Sequence, residues 1–180
     1  MPTCSSINAH ADGIFRRKPG VKLDRIVIHT IEGSYKGCIA WFQQGNPPRS
    51  VVTAAHYIIS RNGDVCQMVP DAAKCYHAGG YNSRSIGIEH EARIEPWPVR
   101  RDAAGTVKPP PFPTNDFPDA LLITSARVVA ALCRDYAIPA DREHIVGHNE
   151  VPGATHTDPG MKWPWDAYMH YIAAELQRTT

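Results

Sequence analysis

The chain has 180 residues, of which 43% are hydrophobic, and this suits one globular domain with a substantial core. Its 19 basic and 18 acidic residues leave a formal net charge of +1, so no overall field would recruit nucleic acid or an anionic membrane. No apolar run approaches the roughly 20 residues that span a bilayer, and residues 1–20 lack the apolar centre of a secretory signal. We therefore expect a soluble monomer, cytoplasmic at synthesis, with neither nucleic acid nor a membrane as a partner.

The cysteines do not form a recognisable motif. None of them belongs to a CxxC pair, which argues against a zinc finger or a redox site. Their odd number leaves at least one unpaired thiol in a monomer. We expect reduced, mostly buried thiols, although a disulfide stays open while the compartment is unknown. The cysteines are Cys4, Cys38, Cys66, Cys75 and Cys133.

The first part of the chain predicts an approach segment, a strand and a helix. Residues 1–22 show no sustained periodicity. The β-branched run Arg25–Thr30 predicts a buried strand with His29 at its carboxyl end. Lys36–Gln44 predicts a short amphipathic helix, which GNPPR would end. Its core-facing side chains would be Ile39, Ala40 and Phe42.

A hairpin and a further strand follow. Val51–Ser60 and Asp64–Val69 predict two strands joined by RNG, in which Asn62 and Gly63 would supply positive φ angles. In the first of these strands, His56 fits a hydrogen-bonded core histidine better than a cleft residue.

Ser85–Glu91 predicts the next strand, after the glycine-containing segment HAGGYN. Alternation puts Ile86, Ile88 and His90 on one face and Gly87, Glu89 and Glu91 on the other. Only one of these faces can be the core.

The second half of the chain predicts a loop and two helices. Seven prolines in residues 95–118 favour extended chain and turns over helix or sheet. A helix should begin near Pro118 and end before Pro139, and a last helix should cover about Pro164–Gln177. The first helix has an apolar stripe of Leu121, Leu122, Val128, Val129, Leu132 and Tyr136. On the last helix, the side chains expected to face the core are Trp165, Tyr168, Ile172 and Leu176.

The segment Ile145–Gly160, IVGHNEVPGATHTDPG, combines ionisable side chains with residues that favour turns. His148 and Asp158 could supply two ligands to zinc, whose catalytic sites typically use three protein ligands and leave a position for water. A third ligand must come from elsewhere, and His29 at its strand end is a candidate. The alternatives are surface polar residues in a loop and a histidine that caps a buried strand.

Four segments together resemble a known family: VIHT at 27–30, AAHYIISRNGDVCQMVP at 54–70, HAGGYNSRSIGIEHEA at 77–92 and VGHNEVPGATHTDPG at 146–160. The chain resembles the zinc-dependent N-acetylmuramoyl-L-alanine amidases of type 2, which include phage lysozyme-like amidases, bacterial muropeptide amidases and peptidoglycan recognition proteins. The resemblance runs from about residue 23 to the end. It divides the chain into an approach segment, 1–22, and a catalytic domain, 23–180, with a proline-rich loop at 95–118.

The resemblance implies roles for individual residues. His29, His148 and Asp158 fall on the zinc ligands, and Glu89 falls on the catalytic glutamate, which would take a proton from the attacking water. His156 stands where several relatives carry lysine, and it would stabilise the oxyanion of the intermediate. A further group matches a cleft-lining segment that would touch substrate: His77, Gly79 and Gly80.

The implied fold is α/β, a single domain with a central mixed β-sheet flanked by helices and a zinc cleft at the strand ends. The implied activity is hydrolysis of the amide between N-acetylmuramic acid and L-alanine in peptidoglycan or a muropeptide, for wall lysis or recycling. The alternatives are a non-catalytic peptidoglycan-recognition module and a zinc peptidase of other specificity, although HExxH is absent. A phage lysin acting on the cell wall and a recycling or exported enzyme both stay open.

Overall fold

The computed structural model describes residues 4–44, 52–94, 103–104, 106 and 112–178. The strands in these ranges are β1 (Cys4–Ser6), β2 (Phe15–Arg16), β3 (Arg25–Thr30), β4 (Tyr57–Ile59), β5 (Val65–Gln67), β6 (Ala73–Lys74), β7 (Ser85–His90) and β8 (Ile145–Gly147). The helices are α1 (Tyr35–Gln43), α2 (Asp119–Tyr136) and α3 (Trp165–Gln177).

The centre of the molecule is a six-stranded sheet with the order β1-β5-β4-β7-β3-β8. β4 and β5 pair antiparallel, and the other neighbours in this sheet pair parallel. The three helices surround this sheet, so the prediction of an α/β domain with a mixed central sheet is confirmed. Among the described helices, none has the length and apolar character needed to cross a bilayer.

One face of the sheet packs against α2 and α3. Ile26 and Ile28 of β3 and Ile86 and Ile88 of β7 lie in one buried cluster with apolar side chains of both helices. The prediction of an apolar stripe on α2 is confirmed, because its leucines and valines are buried and Tyr136 packs against the cluster. The inward residues of α3 are likewise buried or packed on this cluster.

The opposite face carries α1 and the loops. Here Ile58 and Cys66 pack with Cys38 and Phe42 of α1 in a second buried cluster. The odd positions of β3 and β7 also point to this side, because side chains alternate along a strand. The face that lacks α2 and α3 is therefore the face on which His29 and Glu89 lie.

Several local predictions were wrong. Ala40 is exposed, and Cys38 takes the buried place on α1 instead. The hairpin strands are shorter than expected, at Tyr57–Ile59 and Val65–Gln67. Only Gly63 has a positive φ, 87°, in the RNG turn, because the Ser60 hydroxyl accepts hydrogen bonds from the N–H groups of Asn62 and Asp64 and holds the turn without a left-handed Asn62.

The N-terminal segment contributes to both sheets. β1 pairs parallel with β5 at the edge of the large sheet, and β2 pairs antiparallel with β6. The division at residue 22 stays a prediction. Most of the predicted proline-rich loop at 95–118 lies outside the described residues.

Candidate functional site

The site begins with two neighbouring strand positions. β3 and β7 pair parallel in a register that sets His29 opposite Glu89. Since Ile28 and Ile88 point into the α2 and α3 cluster, the next residue on each strand points to the other face. The sheet therefore brings an imidazole and a carboxylate side by side, although they lie in distant segments of the sequence.

The loop after β8 brings two more groups to His29. β8 pairs with β3, so that His148, which directly follows β8, lies beside the end of β3. Asp158 Oδ2 lies 2.9 Å from His29 Nδ1, and Asp158 Oδ1 lies 3.0 Å from His148 Nδ1. The N–H of Asn149 donates to the carbonyl of Asp158 at 2.9 Å and ties the two ends of this loop together.

These three side chains form a donor set that could hold a metal ion. One nitrogen or oxygen atom of each lies within 4.8 Å of the others. Burial opposes charge on Asp158, but hydrogen bonds with His148 and His29 hold its pKa well below the usual range. Burial also lowers the pKa of His29, which favours the neutral imidazole that metals bind. Two imidazoles and a carboxylate fit the ligand types of zinc.

A second group of possible ligands lies nearby but is less suited to a cation. His56, Cys75 and His77 also have atoms within 4.8 Å of one another. However, Arg17 Nη2 lies 3.1 Å from His56 Nε2, and the N–H of Gly87 donates to His56 Nδ1 at 3.0 Å. Burial raises the pKa of the Cys75 thiol. A guanidinium and a neutral thiol make this group a buried hydrogen-bonding layer, and His56 is the core histidine that was predicted.

Glu89 lies at the wall of the cleft beside the donor set. Burial raises its pKa to about 8, and the negative charges of Asp158 and Glu32 add to this shift. Its Oε2 atom is buried and has no hydrogen-bond partner among the described residues. A carboxylate with a raised pKa and an unpaired oxygen is suited to take up a proton.

Glu91 differs from Glu89, although both lie on the same face of one predicted strand. Its Oε1 accepts from the N–H of Tyr35 at 2.7 Å and its Oε2 accepts from the N–H of Arg61 at 3.0 Å. Glu91 thus joins two backbone segments, whereas Glu89 leaves an oxygen free of partners in the described part of the chain.

His156 lies at the rim of the site. Its side chain is 69% exposed, and its Nδ1 lies 3.9 Å from Asp158 Oδ1. The ring stacks on that of His148 with 5.0 Å between centroids. It is thus placed beside the donor set and open to a ligand in the cleft.

The three residues predicted to touch substrate have different surroundings. His77 lines the cleft, and its Nδ1 also lies 3.1 Å from His29 Nε2. Gly79 lines the cleft with a φ of 48°, whereas Gly80 is exposed and is absent from the cleft wall. The cleft itself encloses about 1110 Å³, which is slightly more than a pocket for a drug-sized molecule.

Sequence reasoning missed two residues of this region. Glu32 lines the cleft with a φ of 55°, and its carboxylate accepts from the Thr30 hydroxyl at 2.7 Å and from the N–H of Ile94. Its position two residues after the strand that carries His29 was the available signal. Arg17 lay in a segment without periodicity, and no local pattern indicated its buried contact with His56.

Comparisons with known proteins agree with the fold and identify the family. The family model for N-acetylmuramoyl-L-alanine amidases matches residues 19–161. N-acetylmuramoyl-L-alanine amidase A of Achromobacter lyticus is 30% identical over 165 residues, which cover 82% of this chain and 81% of that protein. The 1,6-anhydro-N-acetylmuramyl-L-alanine amidase AmpD of Citrobacter freundii is 32% identical over 120 residues, 62% of this chain, and the match spans about half, 53%, of that relative.

Solved structures share the architecture. A selenomethionine derivative of AmpD superposes with a TM-score of 0.73 at 21% identity, covering 96% of each chain. AmiD from E. coli, solved with the substrate anhydro-N-acetylmuramic acid-L-Ala-D-gamma-Glu-L-Lys, has a TM-score of 0.59 at 22% identity, covering 88% of this chain and 65% of that one. At these identities the likeness concerns the fold. With the match to the family model and to the Achromobacter enzyme, this chain belongs to the N-acetylmuramoyl-L-alanine amidase family.

Proposed function

We propose that this chain is a zinc-dependent amidase that hydrolyses the bond between N-acetylmuramic acid and L-alanine of the peptidoglycan stem peptide. One observation carries the proposal: Glu89, whose Oε2 is buried and has no partner among the described residues, lies next to a convergent His, His and Asp donor set in an open cleft. Membership of the family and the names of the relatives support the substrate.

His29, His148 and Asp158 would hold the metal. When bound, zinc would supply a Lewis acid that lowers the pKa of a water molecule and polarises the substrate carbonyl. Two neutral imidazoles and one carboxylate cancel only one of its two charges, which preserves that acidity. The Asp158 carboxylate contacts His29 and His148, and its carbonyl accepts from the N–H of Asn149, so the donors are held in place before any ion binds.

Glu89 would act as the general base and then as the general acid. It takes a proton from the water whose oxygen attacks the amide carbon, and it returns this proton to the nitrogen of L-alanine as the C–N bond breaks. The products are a lactyl carboxylate and a free L-alanyl amine. A base with a pKa near neutrality suits both halves of this transfer.

His156 would stabilise the negative oxygen of the tetrahedral intermediate. Its exposed ring lies at the rim beside Asp158, where it can reach a ligand in the cleft. A hydrogen-bond donor that faces this oxygen commonly lowers the activation free energy of hydrolysis by about 3 kcal/mol. Gly79 and His77 would shape the opposite wall of the cleft.

The activity is tested by measuring free L-alanyl amino ends released from purified peptidoglycan and, separately, from a soluble anhydro-muropeptide. Chelated protein and chelated protein restored with zinc are run beside the untreated protein. We expect release that disappears on chelation and returns with zinc, and the preferred substrate would distinguish a wall lysin from a recycling enzyme.

Glu89→Gln and the matched variant Glu91→Gln separate catalysis from the effect of removing any carboxylate from this part of the chain. We expect Glu89→Gln to lose 10²–10⁴-fold of the rate while it still binds zinc, because its role is proton transfer. Folded Glu91→Gln should keep most of the activity. No release by zinc-loaded wild type that still binds muropeptide would instead support the recognition module.

A further inference from the structure

We propose that His77 is a positioning residue for the metal ligand His29, and that it holds His29 in the tautomer whose Nδ1 binds the metal. This inference rests on the metal site of the proposed function, and it replaces the expected substrate contact of His77. The observation is a chain of side-chain hydrogen bonds that runs from His29 through His77 and Ser85 to the backbone carbonyl of Tyr81.

The far end of this chain determines its direction. The carbonyl of Tyr81 only accepts, so the Ser85 hydroxyl donates to it at 2.7 Å. The Ser85 oxygen must then accept from His77 Nε2–H at 3.1 Å. A neutral His77 with its proton on Nε2 has a lone pair on Nδ1, and this accepts from His29 Nε2–H at 3.1 Å.

The near end of the chain is the metal site. In the zinc-loaded protein, a proton on His29 Nε2 would leave the Nδ1 lone pair free for the metal, and this atom lies 2.9 Å from Asp158 Oδ2, an atom of another proposed ligand. Nδ1 of His148 faces the same carboxylate. The hydrogen-bond chain thus presents to the donor set the nitrogen that a metal requires. Partners of this kind orient a ligating histidine and raise its basicity.

His77 itself is held firmly from several sides. Asn82 Oδ1 accepts from the N–H groups of His77 and Ala78 at 2.8 and 2.7 Å. Arg17 donates to the carbonyls of Ser83 and Ser85 at 2.7 and 2.8 Å and fixes the segment that carries the serine. These contacts place the ring without help from a substrate.

Gly87 supplies the space for the His77 ring. A Cβ at this position would lie 2.5 Å from His77 Nδ1 and 2.7 Å from its Cγ, which no side chain can accept without displacing the ring. Gly87 lies on β7 and on the same face as Glu89. The strand that carries the proposed base, Glu89, therefore also leaves room for His77, which contacts the proposed metal ligand His29.

The experiment measures zinc dissociation constants by competition with a chromophoric chelator, which requires no amidase assay. An asparagine at 77 can place Oδ1 where His77 Nδ1 lies and still accept from His29, whereas a glutamine places its amide near the former Nε2. We expect His77→Gln and His77→Ala to weaken zinc binding about 10- to 100-fold. We expect His77→Asn to stay within about threefold of wild type, and Gly87→Ala to weaken binding like His77→Gln.

Two further readouts keep a folding defect from imitating this result. Each metal-free variant is checked by circular dichroism, and Ser85→Ala, a small change, should also weaken zinc binding. Nitrogen-15 spectra of the imidazoles in zinc-loaded wild type should show His29 protonated at Nε2 and His77 protonated at Nε2.

The possible results separate this inference from the proposed function. Equal zinc affinities for folded His77→Gln and wild type would overturn the positioning role, and a raised KM in that variant would restore the substrate contact. Protonation of His29 at Nδ1 in the loaded protein would also overturn it. A wild type that binds no zinc would refute the metal site itself, and the positioning role with it.

Discussion

Replacing Glu89 with glutamine should make the metal-free protein more stable while it removes turnover. The carboxyl of Glu89 is buried near Asp158 and Glu32, which raises its pKa from 4.5 to about 8. In the unfolded chain the same group ionises near its ordinary pKa. The wild-type fold is therefore destabilised at neutral pH by a group that it keeps protonated, and glutamine has nearly the same shape without this cost.

The magnitude follows from linkage between protonation and folding. Below pH 4.5 the carboxyl is protonated in both states, so the substitution should change the free energy of unfolding little. Between pH 4.5 and 8 the advantage of glutamine should grow by about 1.4 kcal/mol per pH unit. This predicts a gain of about 3 kcal/mol at pH 7, and a constant gain above pH 8.

Glu91→Gln is the matched control, one residue beyond the end of β7. Both oxygens of Glu91 accept backbone N–H groups, so an amide would turn an NH₂ group toward one of those donors. We expect this variant to lose about 1–3 kcal/mol of stability. Two Glu→Gln substitutions two residues apart should thus change stability in opposite directions.

The assay is urea unfolding at pH 5 and pH 7.5 with a chelator present, followed by amidase activity after zinc is restored. A Glu89→Gln protein whose advantage over wild type is no larger at pH 7.5 than at pH 5 would refute the account of a buried, protonated base. Wild-type activity in the same variant would refute its catalytic role.

Three further outcomes are expected. Burial, reinforced by the charge of Arg17, lowers the pKa of His56 to about 3, so its contribution to stability is complete above pH 6.5 and declines by about 1.4 kcal/mol per pH unit toward pH 3. Urea unfolding of metal-free His56→Asn should show a shallower acid slope than wild type, and an identical slope would contradict this. His156→Ala should lower kcat about 100- to 1,000-fold with an unchanged zinc dissociation constant, because its exposed ring lies outside the ligand set. Unchanged kcat would exclude the role. When free zinc is held at 100 times its dissociation constant, its removal should lower the free energy of unfolding by about 2.7 kcal/mol. Calorimetry should record this as a fall of roughly 5–10 °C in Tm. A Tm that does not respond to zinc would contradict a site formed in the folded state.

The local pattern of the sequence was sufficient for the three helices, for β3 and β7 and for the faces of these two strands, but not for β1, β2 and β6. The β-branched run of β3 and the alternation in β7 predicted which side chains face the core, and the structure buries Ile86 and Ile88 as expected. The spacing of hydrophobic residues and the presence of turn-forming residues are short-range properties, so neighbouring residues are enough to recognise them. Predictions that needed the exact path of a turn, such as that for Asn62, were wrong because the Ser60 hydroxyl supplies the necessary acceptor.

The candidate donors themselves were also visible in the sequence, since motifs and family resemblance indicated His29, His148, Asp158 and Glu89. Their roles as ligands and base stay predictions to be tested by the experiments above. What the sequence could not indicate was the environment of each group. Glu89 and Glu91 are the same residue type two positions apart, yet one has an unpaired buried oxygen and the other binds two backbone segments.

Only the tertiary structure decided which distant groups meet. His29 and Asp158 are 129 residues apart, and they lie 2.9 Å from each other because β8 pairs beside β3 and the loop after β8 folds back. The hydrogen bond between His29 and His77 depends in the same way on the pairing of β3 with β7 and on the space left by Gly87. Burial and charge act through space, so the pKa of a side chain and its partners follow from the packed strands, whereas the identity and periodicity of the residues follow from the sequence by itself.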